Sequence, residues 1–159
     1  MQQAIGDRDG TAEIPSINFD RACNIGAFSM DEDVRKNTGH MNEFEQGSPR
    51  QVPMRRLDGM TFPKPPTLIK LDVEGFELAV LTGGAAFLER NAFPPLLFEA
   101  WDVDWLGGNK TKIFELLGAL GYEINKIAGD DYVAQHPRNP AHIALSDDGA
   151  GVLYMSRTR

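Results

Sequence analysis

The sequence predicts an α/β fold built on a parallel sheet with covering helices. Short apolar runs recur from Thr67 onward as "TLIKLDV", "PPLLFEAW" and, after a helical stretch, "YEINKI". Between the first two, Leu78, Leu81, Ala85 and Leu88 recur at spacings of three, four and three, which puts them on one face of a helix. Between the second and third, Ile113, Phe114, Leu116, Leu117 and Leu120 supply the apolar side of another helix, which Gly121 stops. Strands alternating with helices in this way give a parallel sheet with the helices packed on it.

The elements follow in order along the chain. Residues 1–60 hold only short apolar pieces, "QQAIG", "TAEIPSINF" and "VPMRRL", separated by Gly, Pro, Asn and acids, and these predict short strands or loops. Residues 31–51 are polar with little periodicity and read as a mobile excursion without an element of their own. In the helix after Asp72, Gly83 and Gly84 would each cost about 1 kcal/mol relative to alanine in a helix interior, so they mark a break or a close backbone contact. Two prolines introduce "PPLLFEAW". "AGDD" followed by "YVAQ" predicts a turn and a returning strand. From Pro137 the chain shows "PRNP" and "SDDGAG" loops before a final apolar "GVLYM".

Composition sets the classes that remain open. A chain of 159 residues, 42% hydrophobic and 25% charged, has enough apolar surface for one core, so residues 1–159 form a single domain. A net charge of −7 argues against nucleic acid as a partner, because counterion release needs clustered Lys and Arg. The nearest approach to a basic cluster, Arg50, Arg55 and Arg56, is small. Cys23 is the sole cysteine, so there is no internal disulfide and no zinc-type cysteine pair, which predicts a reducing, cytoplasmic setting. No apolar run approaches the roughly 18 residues of a membrane span, and "MQQAIGDRDG" has no apolar signal core. The expectation is a soluble chain with no membrane partner.

The candidate site follows from the sheet. In open α/β sheets ligands lie beyond the carboxyl ends of the strands. Asp72 stands where the first of these strands ends, and Glu99 ends the next. If the two strands are neighbours, about 4.8 Å apart, their carboxylates face one pocket. Such a pair suits a metal, a general base or a hydroxyl-bearing ligand. Glu74 and Glu77 fall at the start of the following helix, where the dipole favours acids whatever the function. Lys70, in mid-strand, either snorkels or pairs with an acid. His136, just before Pro137, reads as structural, and His40 and His142 fall in polar loops with no assigned role. Trp101 and Trp105 flank Asp102 and Asp104 just beyond Glu99, which suits either an aromatic lid over an acceptor or core packing.

"RRLDGM", "LIKLDVEGFELAVLTGG" and "PPLLFEAW" together resemble the FkbM-type family of S-adenosylmethionine-dependent methyltransferases. The matching residues, in order, are Leu57, Asp58, Ile69, Lys70, Asp72, Val73, Glu74, Gly75, Glu77, Leu81, Gly83 and Glu99. Upstream, "AIGDRDGTAEI" and "NIGAFSM", with Asn24 and Gly26, resemble a further family segment, and downstream "ELLGALGYEINKI" and "DYVAQHP" resemble its closing helix and hairpin. The resemblance runs over about residues 2–137, with 138–159 as a tail. It implies a Rossmann-like methyltransferase sheet in which the strands ending at Asp72 and Glu99 are the fourth and fifth of seven. The implied reaction is methylation of a hydroxyl on a sugar or secondary metabolite. Asp72 and Glu99 then take the catalytic roles, and Asn24, Gly26, Glu74 and Trp101 bind the small-molecule acceptor. In metal-dependent O-methyltransferases of related fold, acids at such strand ends can hold magnesium, which is an analogy only.

The family pattern also begins with a strand, a glycine-rich turn and a helix that cradle the cofactor, then a second strand ending in an acid. No such segment stands in this sequence; "IGDRDG", "LTGGAAF" and "WLGGNK" are not equivalents. The expectation is a sheet lacking its first two strands and helices, with no cofactor-binding residues assigned. Its bare apolar edge would suit an oligomer or a partner chain. The alternative to an enzyme is a truncated, non-catalytic module that binds a partner and not the cofactor.

Overall fold

The structure is a computed structural model that describes residues 2–16, 20, 26, 28–39, 48–147 and 153–158. The short apolar pieces near the start form β1 (Ala4–Gly6), β2 (Gly10–Ile14) and β3 (Arg50–Arg56). They make a sheet of their own in the order β1-β3-β2, with β3 parallel to β1 and antiparallel to β2. Ala4, Val52 and Met54 are its buried centre, against which Ala12, Ile14 and Met30 pack.

Residues 31–51, expected to lack an element, contain α1 (Glu32–Asn37). Its cause is local. Asp31 accepts the amides of Asp33 and Val34 at 2.8 and 3.2 Å, which satisfies two of the donors a helix start leaves open. Glu32 and Asp33 in the first turn and Arg35 and Lys36 in the last match the dipole at both ends. Buried Val34 anchors the helix, and the Arg35 guanidinium donates to the Ser29 and Met30 carbonyls. Six residues are too few for an apolar period to show, so only the cap marks this helix in the sequence.

The second sheet is built from β4 (Ile69–Leu71), β5 (Leu96–Glu99), β6 (Glu123–Ala128) and β7 (Asp131–Gln135). Helices α2 (Glu77–Thr82) and α3 (Ala85–Arg90) connect β4 to β5, and α4 (Asn109–Ala119) connects β5 to β6. The strand order is β4-β5-β7-β6. β4 and β5 are parallel, while β7 is antiparallel to both β5 and β6. The parallel sheet expected from the alternation is thus mixed, and the turn and returning strand expected at "AGDD" and "YVAQ" form the β6–β7 hairpin. β4, β5 and β6 share a direction, as the alternation requires, but the β6–β7 hairpin turns at Gly129 and sends β7 back between β5 and β6. The observed class is mixed α/β.

The tail expected as loops with one apolar run forms β8 (His142–Asp147) and β9 (Leu153–Thr158), an antiparallel pair, and His142 opens a strand instead of lying in a loop. The Gln135 side chain tethers this hairpin to β7: its amide donates to the Ile143 carbonyl at 3.0 Å and its oxygen accepts the Ile143 amide at 2.6 Å. Among the described residues no helix is long and apolar enough to cross a membrane.

The main core lies between one face of the second sheet and the helices, with Leu81, Leu88, Leu96, Phe98, Ile113, Leu117 and Tyr132 at its centre. The predicted helix after β4 is two helices, divided where the glycine pair predicted a break or a contact. Both occur. A Cβ on Gly83 would stand 2.1 Å from the Gly6 carbonyl oxygen, so α2 ends with its backbone pressed on β1. The Gly83 carbonyl accepts the Asp58 amide at 2.8 Å, and the Asp58 carboxylate accepts the Phe87 amide at 2.7 Å, which caps the start of α3. His136 is structural as expected. It is buried, stacks on Phe93 at 4.0 Å, accepts the Arg138 amide on Nδ1 and so offers Nε2–H to the Leu120 carbonyl at 3.1 Å.

Two glycines give opposite expectations in urea melts. Gly83→Ala forces a methyl group into backbone and should cost at least about 1–3 kcal/mol, the range for overpacking. Gly118→Ala, in α4 with open space around its Cβ position, should stabilise by roughly 0.5–1 kcal/mol. A neutral Gly83→Ala would show that the α2–β1 contact is not fixed.

Candidate functional site

Pairing Ile69 with Leu96 and Leu71 with Phe98 sets the ends of β4 and β5 side by side. Asp72 follows β4 directly and Glu99 closes β5. On β7, Asp131 pairs with Glu99 and Val133 with Leu97. Because side chains alternate along a strand, Lys70, Leu97, Glu99 and Asp131 project from the face opposite the helical core.

On that face a cavity of about 410 Å³ opens at the carboxyl ends of β4 and β5. Leu97 and Ile127 give it an apolar base, Tyr132 borders it with its ring turned into the helical core, and Asp72, Glu74, Glu99, Asp131 and Lys70 supply its charge. The structure thus brings Asp72 and Glu99 to one pocket, together with Glu74. Asp131 was missed because "AGDD" reads locally as a turn; only the hairpin register sets its second aspartate opposite Glu99.

The electrostatics centre on one cation. Lys70 Nζ lies 2.6 Å from Asp72 Oδ2, the acid pairing that the sequence reading allowed. Asp72 holds the ammonium above its ordinary pKa, with smaller contributions from Asp131 and Glu99. Glu99 has neither a hydrogen-bond nor a salt-bridge partner among the described residues. Among those residues no group of three or more His, Cys, Asp or Glu could hold a metal ion.

The turn from β4 into α2 departs from expectation. Glu74 is not in the helix; it stands before it with a φ of 51°, followed by Gly75 at 93°, two left-handed residues in succession. Glu77 opens α2 and is buried, 5% exposed. Its Oε1 accepts the Val73 amide at 3.0 Å. Burial raises the Glu77 pKa, the amides of Glu77 itself, Val73 and Gly75 oppose that rise, and the charge of Glu99 adds to it.

Trp101 does not line the cavity but is half-buried beside the turn. A Cβ on Gly75 would meet Val34 at 2.9 Å and the Trp101 ring at 3.9 Å. Trp101 also contacts Trp105, centroid to centroid 6.2 Å, and Trp105 is 37% exposed. Beyond them Lys110 pairs with Asp102 at 2.8 Å and lies over the Tyr132 ring, tying this loop to the cavity wall. Gly26 is exposed and outside the cavity lining, and Asn24 lies outside the described residues.

The strand ends of this mixed α/β sheet open on an acid-lined crevice, the position where ligands lie in open α/β sheets. The chain matches the methyltransferase FkbM domain over residues 1–124 and belongs to that family. No match was found among curated proteins or solved structures. Membership implies dependence on S-adenosylmethionine. The matched span includes Asp72, Glu74, Glu77, Glu99 and Trp101, and it ends before Asp131 and Tyr132.

The raised Glu77 pKa sets a sign for stability against pH. Above the ordinary value near 4.5 the folded state holds the Glu77 proton longer than the unfolded chain does. Glu77 therefore subtracts stability as pH rises from about 4.5 through its raised folded value, and nothing further above it. In urea melts between pH 4 and 8, the stability of the natural protein relative to Glu77→Gln should fall over that window and then level off. A difference independent of pH would contradict the shift.

Proposed function

We propose that this domain methylates a hydroxyl oxygen on a sugar or secondary metabolite, with S-adenosylmethionine as methyl donor. The observation that supports it is the placement of Asp72 and Glu99 at the ends of adjacent parallel strands in one cavity, joined there by Asp131. The described lining residues offer carboxylates and one ammonium, and no glycine along which the methionine end of the cofactor could lie. These residues fit the acceptor and not the cofactor.

The work of the chain's own residues lies on the acceptor. A carboxylate at the strand end accepts a hydrogen bond from the acceptor hydroxyl, turns an oxygen lone pair outward, and takes the proton as that oxygen becomes an ether. Glu99 suits the base, since no described side chain already bonds it. Asp72, tied to Lys70, suits a second hydroxyl and orients the molecule. The apolar base of Leu97 and Ile127 gives the carbon skeleton a surface.

The test is transfer of a labelled methyl group from S-adenosylmethionine to a panel of sugars and hydroxylated metabolites. Glu99→Gln should lower turnover by about 10²–10⁴-fold, the usual contribution of a general base. Asp72→Asn should weaken acceptor use while changing stability by less than about 1 kcal/mol, because its ion pair with Lys70 is exposed. Cofactor affinity, measured by calorimetry, should survive both substitutions. If both variants turn over like the natural protein, the cavity is not the acceptor site.

A further inference from the structure

The turn between Asp72 and α2 carries a device that the acceptor reading does not use. Glu74, with a side chain, sits at a φ of 51°, where a non-glycine residue is uncommon and strained. Such a conformation persists only where its surroundings impose it. Val34 of α1 and the Trp101 ring stand where a Cβ on Gly75 would fall, and the Glu77 carboxylate holds the turn through the Val73 amide. A buried acid is a costly way to fill such a place unless its oxygens are used.

We propose that Glu77 is a positioning residue whose buried carboxylate fixes the left-handed turn at Glu74–Gly75 and so sets where Asp72 and Glu74 stand on the cavity. The role rests on reading the cavity as the acceptor side. Glu77 itself touches no acceptor; it acts through Val73, the residue between the two acids that line the cavity. Release of that amide removes one constraint on the strained backbone at Glu74, and the carboxylates on either side of Val73 shift with the turn. Loss of Glu77 should therefore loosen acceptor binding more than it slows the chemical step. The charged groups facing Glu77 and its turn include Glu99 on β5, with the Lys70–Asp72 pair on β4 close by, so protonation of Glu77 also removes a repulsion across the site.

Amide hydrogen exchange by NMR tests the positioning without any acceptor. In the natural protein the Val73 amide should be protected, and its chemical shift should follow the titration of the Glu77 carboxyl. Glu77→Leu should speed Val73 exchange at least tenfold while Phe98 and Leu117 amides keep their protection. Glu77→Gln, which retains an acceptor oxygen, should restore most of it. An unprotected Val73 amide, or one whose shift ignores Glu77, overturns the proposal even if Glu77→Leu does not fold. So does a Glu77→Leu variant in which Val73 exchanges as before. In the methyl-transfer assay, Glu77→Leu should raise the acceptor KM at least tenfold with a smaller change in kcat, and an unchanged KM overturns the link to the acids. If Glu99→Gln leaves turnover intact, the acceptor reading fails, while Val73 exchange still decides the role of Glu77 in the turn.

Discussion

The close approach of Gly83 to the Gly6 carbonyl is the contact on which the arrangement of the two sheets depends. No residue with a side chain fits there, because a Cβ would lie 2.1 Å from a backbone oxygen. The same residue ends α2 and accepts the Asp58 amide, and Asp58 in turn caps α3. One backbone position thus breaks a helix, seats it on β1 and, through the turn that follows β3, starts the next helix. Close packing leaves little room to shift any of these without the others.

The second constraint is electrostatic. Among the described residues the helices cover one face of the β4-β5-β7-β6 sheet, and on the other face three carboxylates converge on one lysine. Like charges directly opposite on neighbouring strands, as Glu99 and Asp131 are, weaken a sheet. A fold selected for stability alone gains nothing from that pairing. The acceptor proposed above would give that pairing a use, since carboxylates accept hydrogen bonds and take protons.

Periodicity carried the long elements and failed for the short ones. α4 was legible because eleven residues show their apolar face, and β4 and β5 because apolar runs end sharply in acids. α1 was not, since six residues offer only the Asp31 cap to read. Asp72 and Glu99 were legible as strand ends. Asp131 was hidden in a turn, and Glu77 looked like any acid that favours a helix start, because burial is not written in a residue's neighbours along the chain.

The sequence alone determined the alternation of strands and helices, the helix break at Gly83–Gly84 and the family, since each rests on local chemistry or an ordered run of residues. Tertiary structure decided which strands are neighbours, that β7 runs back between β5 and β6, and that Asp131 joins Asp72 and Glu99 at one cavity. It alone showed that Glu77 is buried beneath a left-handed turn. The physical reason is that register and burial come from contacts between segments far apart in the chain, whereas caps, breaks and periods come from residues within a few positions of one another.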